Sequence, residues 1–188
     1  MISIFDAQLV FRKVLDAMAR PGKVAKLPDI PLNPPAENKY PFLILFTLLD
    51  HEVGFEVLGA KNNAEEISRY IASNTGSSES SLENADFVLI YGGSSGGRIH
   101  EMKRGTLEYP DESVTLIYDV ERIGTGMLLM ISGPGIRAER KVAIDGIEEE
   151  EIRDMVRVNS EFPLGVDAIF SDRCGNILAM PRSTKVGW

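Results

Sequence analysis

The segment Gly92-Gly93-Ser94-Ser95-Gly96-Gly97 carries the densest chemical signal in the chain. Gly92 to Gly96 fits G-x-S-x-G, the pattern that sets a serine nucleophile on a strained strand-to-helix turn. That chemistry needs an acid and then a histidine further along. His100 is the only histidine after Ser94, and no Asp or Glu lies between them. The order fails, so a polar Gly/Ser loop is the expectation. The same amides, with Arg98, could cradle a phosphate. Against that stand the absent Gly-Lys-Ser/Thr ending of a P-loop and the absent G-x-G-x-x-G spacing of a dinucleotide site.

Metal and acid–base chemistry find less. His51 and His100 stand apart, and Cys174 has no second thiol, so no dedicated metal site or resident cofactor is expected. Magnesium carried in by a substrate phosphate would need no motif. The run Glu148–Glu151 suits the first turn of a helix, where the macrodipole favours negative charge. Arg12, Arg137, Arg140 and Arg182 carry planar forks matched to phosphate or carboxylate. Arg182 precedes Ser183 and Thr184, whose hydroxyls suit phosphate oxygens. In an acidic chain the ordinary fate of such arginines is a solvated ion pair.

Elements must position these groups. Phe5, Leu9, Val14, Leu15 and Met18 recur at helical spacing and predict a helix over Ile4–Ala19 with one apolar stripe. Ser3 and Asp6 form its capping box, and Pro21-Gly22 stop it. Pro28–Pro35 is an extended connection. Phe42–Leu49 reads as a buried helix, Gly54–Leu58 as a strand, and Ala64–Ala72 as a helix capped by Asn63. Asn74–Asn84 reads as an exposed loop. The apolar runs Phe87–Tyr91, Val114–Tyr118 and Met127–Ile131 fit strands covered on both faces. Gly133-Pro134-Gly135 is a tight turn. Ile147–Val158 is an acidic helix, with Ile147, Ile152, Met155 and Val156 as its apolar positions. Val166–Ser171 and Ile177–Met180 form a hairpin around Asp172–Asn176.

These elements describe a single three-layer α/β domain over residues 1–188 with at least one antiparallel hairpin. At 188 residues the chain can bury a core without disulfides, and its one cysteine cannot form an internal one. Twenty basic against 28 acidic residues give a net charge of −8, which argues against nucleic-acid binding. No apolar run approaches the roughly 18 residues of a membrane span, and the N-terminus lacks signal-peptide character. A soluble cytoplasmic protein is expected.

Several blocks read together resemble the PhnH family, the H subunit of the bacterial carbon–phosphorus lyase system. They are Asp6-Ala7-Gln8, Phe11-Arg12, Ala17-Met18, Pro21-Gly22, Thr47-Leu48 with Asp50, and Gly105-Thr106. Gly133-Pro134-Gly135-Ile136 with Glu139-Arg140, Phe162–Asp167 and Pro181–Thr184 complete the set. The resemblance implies a three-layer α/β/α sandwich with a mixed sheet, similar to pyridoxal-phosphate-dependent transferases without their Schiff-base lysine. It also implies a homodimer within a core complex with the G, I and J subunits. With the G, I and L subunits, such a protein helps convert ATP and methylphosphonate to ribose 1-methylphosphonate 5-triphosphate, the I subunit being regarded as the catalytic centre. The iron–sulfur J subunit later breaks the carbon–phosphorus bond. The resemblance carries no catalytic residue over. Arg12, Arg182, Ser183 and Thr184 fall at matching positions, as anion or interface contacts. The implied role is assembly, with direct binding of nucleotide or phosphonate as the alternative.

Overall fold

A computed structural model describes residues 2–59 and 63–188. Helix α1 (Ile4–Ala19) starts as its sequence requires: Ser3 accepts the Asp6 amide at 3.1 Å and donates its hydroxyl to the Asp6 carboxylate. Its buried face is Val10, Val14 and Ala17. The apolar stripe expected on α1 is therefore corrected. Of its members only Val14 is buried, while Phe5 is 79% exposed and Leu9 and Leu15 are about half exposed. Periodicity reported that apolar residues share the helix without reporting which flank meets the core.

Strand β1 (Ala25–Lys26) follows, then helix α2 (Tyr40–Leu48), apolar all round and buried from Tyr40 through Leu45. Strand β2 (Gly54–Leu58) leads to α3 (Ala64–Thr75), whose Asn63 makes no side-chain cap and donates instead to the Pro35 carbonyl. The helix runs three residues past its expected end, and the expected loop Asn74–Asn84 holds a short strand β3 (Ser78–Glu79). Strands β4 (Phe87–Tyr91), β5 (Thr115–Val120), β6 (Arg122–Ser132) and β7 (Glu139–Asp145) come next. Helix α4 (Glu149–Asn159), the hairpin β8 (Asp167–Asp172) and β9 (Asn176–Met180), and β10 (Lys185–Gly187) complete the order.

Seven strands form a mixed sheet in the order β1-β9-β8-β5-β4-β2-β3; β3, β2, β4, β5 and β8 run parallel, and β9 alone is reversed, pairing antiparallel with both β8 and β1. Leu89, Ile117 and Ile169 face α1, α2 and α3, while Val88, Ile90, Leu116 and Phe170 face α4. Both faces being covered, the strands read as continuous apolar runs. The run Met127–Ile131 breaks this rule. It lies in β6 of a separate antiparallel sheet, order β10-β6-β7, with Leu129 and Ile131 buried and Leu128 56% exposed. The second outer layer is thus α4 together with a small sheet. Each fully buried Leu, Ile or Phe contributes roughly 1.5–3 kcal/mol on these two faces.

Candidate functional site

Three polar features stand out against this apolar frame. The first fixes the glycine-rich loop. Glu151 turns inward from the first turn of α4 and is 2% exposed. Its carboxylate accepts the Ser95 amide and hydroxyl, each at 2.9 Å, and the Tyr118 hydroxyl at 2.8 Å. Burial pushes the Glu151 carboxyl up, opposed by these hydrogen bonds. Burial and the Glu151 charge likewise push the Tyr118 phenol up. Gly93 closes the loop against Gly146, whose carbonyl a Cβ would meet at 1.9 Å. Ser94 accepts the Gly96 amide, Arg98 pairs with Glu101, and His100 reaches Asp154 at 3.3 Å. The segment after the loop is a four-residue 3-10 turn, Arg98–Glu101. The loop is anchored to α4 as a structural corner.

The second feature is a cleft of about 440 Å3 lined by Val156, Phe162, Ser183, Thr184, Lys185 and Val186 among others. Arg182 also lines it, but its guanidinium donates to both Asp167 carboxylate oxygens and to the Pro110 carbonyl. With 15% and 14% of their side chains exposed, Arg182 and Asp167 form a mostly buried pair that holds the C-terminal segment on β8. The Thr184 hydroxyl is buried without a partner. Arg12 lies on the exposed side of α1 and does not line this cleft. Arg140 donates to the Pro21 carbonyl at 2.9 Å, and Arg137 is exposed. The structure therefore brings Arg182, Ser183 and Thr184 together and leaves Arg12 elsewhere.

The third feature sits at the carboxyl ends of the parallel strands. Tyr91, Asp119 and Ser171 are register partners on β4, β5 and β8. Neighbouring strands lie about 4.8 Å apart and in-register residues point to one face, so the three make a polar row. Asn38, 2% exposed, donates to the Asp119 carboxylate at 2.7 Å and to the Ser171 carbonyl at 3.3 Å. Burial pushes the Asp119 carboxyl up against the lowering effects of Asn38 and Arg173. Burial and the nearby Asp119 push the Tyr91 phenol up. The hydroxyls of Tyr91 and Ser171 are buried without a hydrogen-bond partner.

Two of these features were open to sequence reasoning. Glu151 is in phase with Met155 and Val158 on α4, which places it on the buried side. Each of the runs ending at Tyr91, Asp119 and Ser171 closes on a polar residue, a shared pattern that the sequence displays. Among the described residues, no group of three or more His, Cys, Asp or Glu could hold a metal ion, and no helix is long and apolar enough to cross a membrane.

The seven-stranded mixed sheet, its covering helices and the small second sheet define a mixed α/β protein. Its family is shown directly: the chain belongs to the bacterial phosphonate metabolism protein family, PhnH, whose model matches residues 2–187. It is 29% identical over 184 residues to the alpha-D-ribose 1-methylphosphonate 5-triphosphate synthase subunit PhnH of Rhizobium meliloti (strain 1021), spanning 97% of this chain and 91% of that protein. It is 30% identical over 181 residues to a protein of Stutzerimonas stutzeri named as C-P lyase subunit HtxG, spanning 95% of this chain and 85% of that one.

Proposed function

We propose that the chain is a subunit of a ribose 1-methylphosphonate 5-triphosphate synthase within a cytoplasmic carbon–phosphorus lyase complex, and that its contribution is assembly. In this reading it is one folding unit that forms a homodimer and docks with G, I and J subunits, while the transferase chemistry belongs to its partners. Membership of the PhnH family and the names of both relatives support the setting. The observation that carries the assembly role is the surface of α1. Ile4 is 87% exposed and Phe5 79%, with Leu9, Phe11 and Leu15 also exposed. So many large apolar side chains on one helix mark a surface that a partner covers. Arg12 lies in their midst as an interface contact. Ser183 and Thr184 offer a second contact in the C-terminal cleft, with Arg182 positioning that segment. A kinship of the sheet to pyridoxal-phosphate-dependent transferases belongs to the same proposal.

Release of adenine from ATP with methylphosphonate tests it, using this chain alone and mixed with its G, I and L partners. Activity confined to the mixture, and lost when this chain is left out, is the expected result. Adenine release by the chain alone would overturn the assembly role. A second reading, direct binding of nucleotide or phosphonate, is favoured by one observation: the unpartnered hydroxyls of Tyr91 and Ser171 at the sheet edge.

A further inference from the structure

We propose that the free edge of β10, with the cleft beside it, takes an extended segment of a partner subunit as an added strand. The inference deepens the assembly reading above and rests on it. The sheet order β10-β6-β7 leaves β10 paired on one side only, with Lys185, Val186 and Gly187 opposite Ser132, Ile131 and Met130 of β6. Among the described residues, no backbone hydrogen bond outside this ladder reaches those three residues of β10. An open edge of this kind is a ready template for a further strand. It is also held in place. Arg182 ties the segment to Asp167 just before β10, and Arg153 of α4 lies 4.6 Å from the centre of the Trp188 ring just after it. A chain end without such ties frays, so the two contacts preorganise the edge for a partner.

The cleft of about 440 Å3 supplies room on the open side. One wall is the segment Arg182–Val186, and the other is the end of α4, with Val156, and the Phe162 that follows it. No residue of β6 or β7 lines the cleft, which sets it on the side of β10 away from β6. A strand added there would stand about 4.8 Å from β10, between it and α4. Phe162, 63% exposed at the cleft wall, is the apolar surface such a segment would cover.

Strand geometry dictates the chemistry of the occupant. Side chains alternate between the faces of a sheet, and partners across a ladder share a face. Val186 shares its face with the buried Ile131, so a residue added opposite Val186 points inward and is best apolar. Lys185 lies on the other face, opposite Ser132, and is exposed. Near the cleft Arg153, Arg157 and Arg182 are each paired with a carboxylate of this chain, whereas Lys185 is paired with none among the described residues. A residue added opposite Lys185 is therefore best an Asp or a Glu. The occupant is an extended segment with alternating apolar and acidic side chains, held by its main chain and selected by those side chains. A helical partner has no free backbone groups to offer this edge.

Short overlapping peptides covering the G, I and J partner subunits are the probes, with a peptide of this chain's own Arg182–Trp188 beside them, titrated against the full chain by fluorescence anisotropy. At least one partner peptide with the alternating pattern should bind. N-methylation of its alternate amides, in one of the two phases, should abolish binding while every side chain stays in place, because it blocks main-chain pairing. Lys185→Glu should weaken the same peptide about tenfold, since like charges then stand opposite each other. Phe162→Ala should weaken it by a similar factor through lost apolar contact. Both side chains are exposed, so neither variant should shift the melting temperature appreciably. Four results would overturn the inference: no partner peptide binds, only the Arg182–Trp188 peptide binds and the occupant is a second copy, binding survives N-methylation in both phases, or binding is unchanged in both variants. Adenine release by the reconstituted mixture reads the subunit assignment separately. Activity that needs this chain, with no peptide bound, would sink the strand site and leave the assembly role standing.

Discussion

Tyr118, at the centre of the seven-stranded sheet, donates its hydroxyl to Glu151 on α4 at 2.8 Å, and both side chains are buried. This one hydrogen bond joins β5 to α4, and through Ser95 it joins both to the glycine-rich loop. The ring of Tyr118 stacks on Phe170 at 5.0 Å, so the phenol is held by its face as well as its tip. A loop whose composition suggests catalysis is in this way committed to architecture.

Glu151 should make stability depend on pH in a defined direction. Its carboxyl is raised from 4.5, so the folded protein holds the proton more tightly than the unfolded chain. The Glu151 contribution is then fully present below pH 4.5 and is lost as pH rises through the raised folded-state value. Glu151→Gln, which can accept from Ser95 and donate to Tyr118, removes this dependence. Urea unfolding should show the variant gaining on the wild type as pH rises, and a constant difference would refute the assignment. Glu151→Ala, which orphans three donors and leaves a cavity, should cost about 3 kcal/mol.

Arg182→Ala should destabilise the fold by about 2 kcal/mol, because it leaves Asp167 partly buried without its ion pair and frees the Pro110 carbonyl. A double-mutant cycle with Asp167→Asn should return a coupling of roughly 1–2 kcal/mol. Additive effects would mean that the pair contributes nothing of its own.

Asp172 is fully buried and accepts the amides of Ile123, Cys174 and Asn176, together with the Asn176 side chain. Asp172→Ala should cost about 3 kcal/mol or more by orphaning these donors, while Asn, which keeps one acceptor, should cost less. Denaturant midpoints of the two variants give the comparison.

The exposed and buried faces of α1 should respond oppositely. Phe5→Asp and Leu15→Glu should leave the monomer's melting temperature nearly unchanged and weaken self-association or capture by partner subunits, read by sedimentation velocity. Val14→Ala should lower stability by about 1–2 kcal/mol without a direct effect on assembly. Assembly that survives both charged substitutions would move the docking surface off this helix.

Far-UV and near-UV circular dichroism should report one coincident unfolding transition if residues 1–188 form one folding unit. Two resolved transitions would separate the β10-β6-β7 sheet from the rest.

Much of the architecture was legible because it rests on local rules. The Ser3–Asp6 capping box, the all-apolar α2, the covered strands at Phe87–Tyr91 and Val114–Tyr118, and the β8–β9 hairpin each announce themselves within a dozen residues. Family membership was legible through blocks spread along the chain. Local rules stop at questions of partner. The apolar spacing of α1 was visible, yet whether Phe5 or Val10 meets the core depends on α2 and β9, distant in sequence. Met127–Ile131 has the composition of a central strand, but its pairing with Glu139–Asp145 draws it into a second sheet. Arg182 reads equally as an anion fork or as an ion-paired anchor until Asp167, 15 residues away, is found against it. Tyr91, Asp119 and Ser171 are separated by long intervening segments, and only strand register sets them side by side. Local sequence set the four helices, the central strands and the family, whereas β1, β3, β7 and β10 form only where a neighbouring strand pairs with them. Tertiary structure decided which side chains face one another, because burial and hydrogen bonding at long range are properties of pairs and no residue carries its partner in its own neighbourhood.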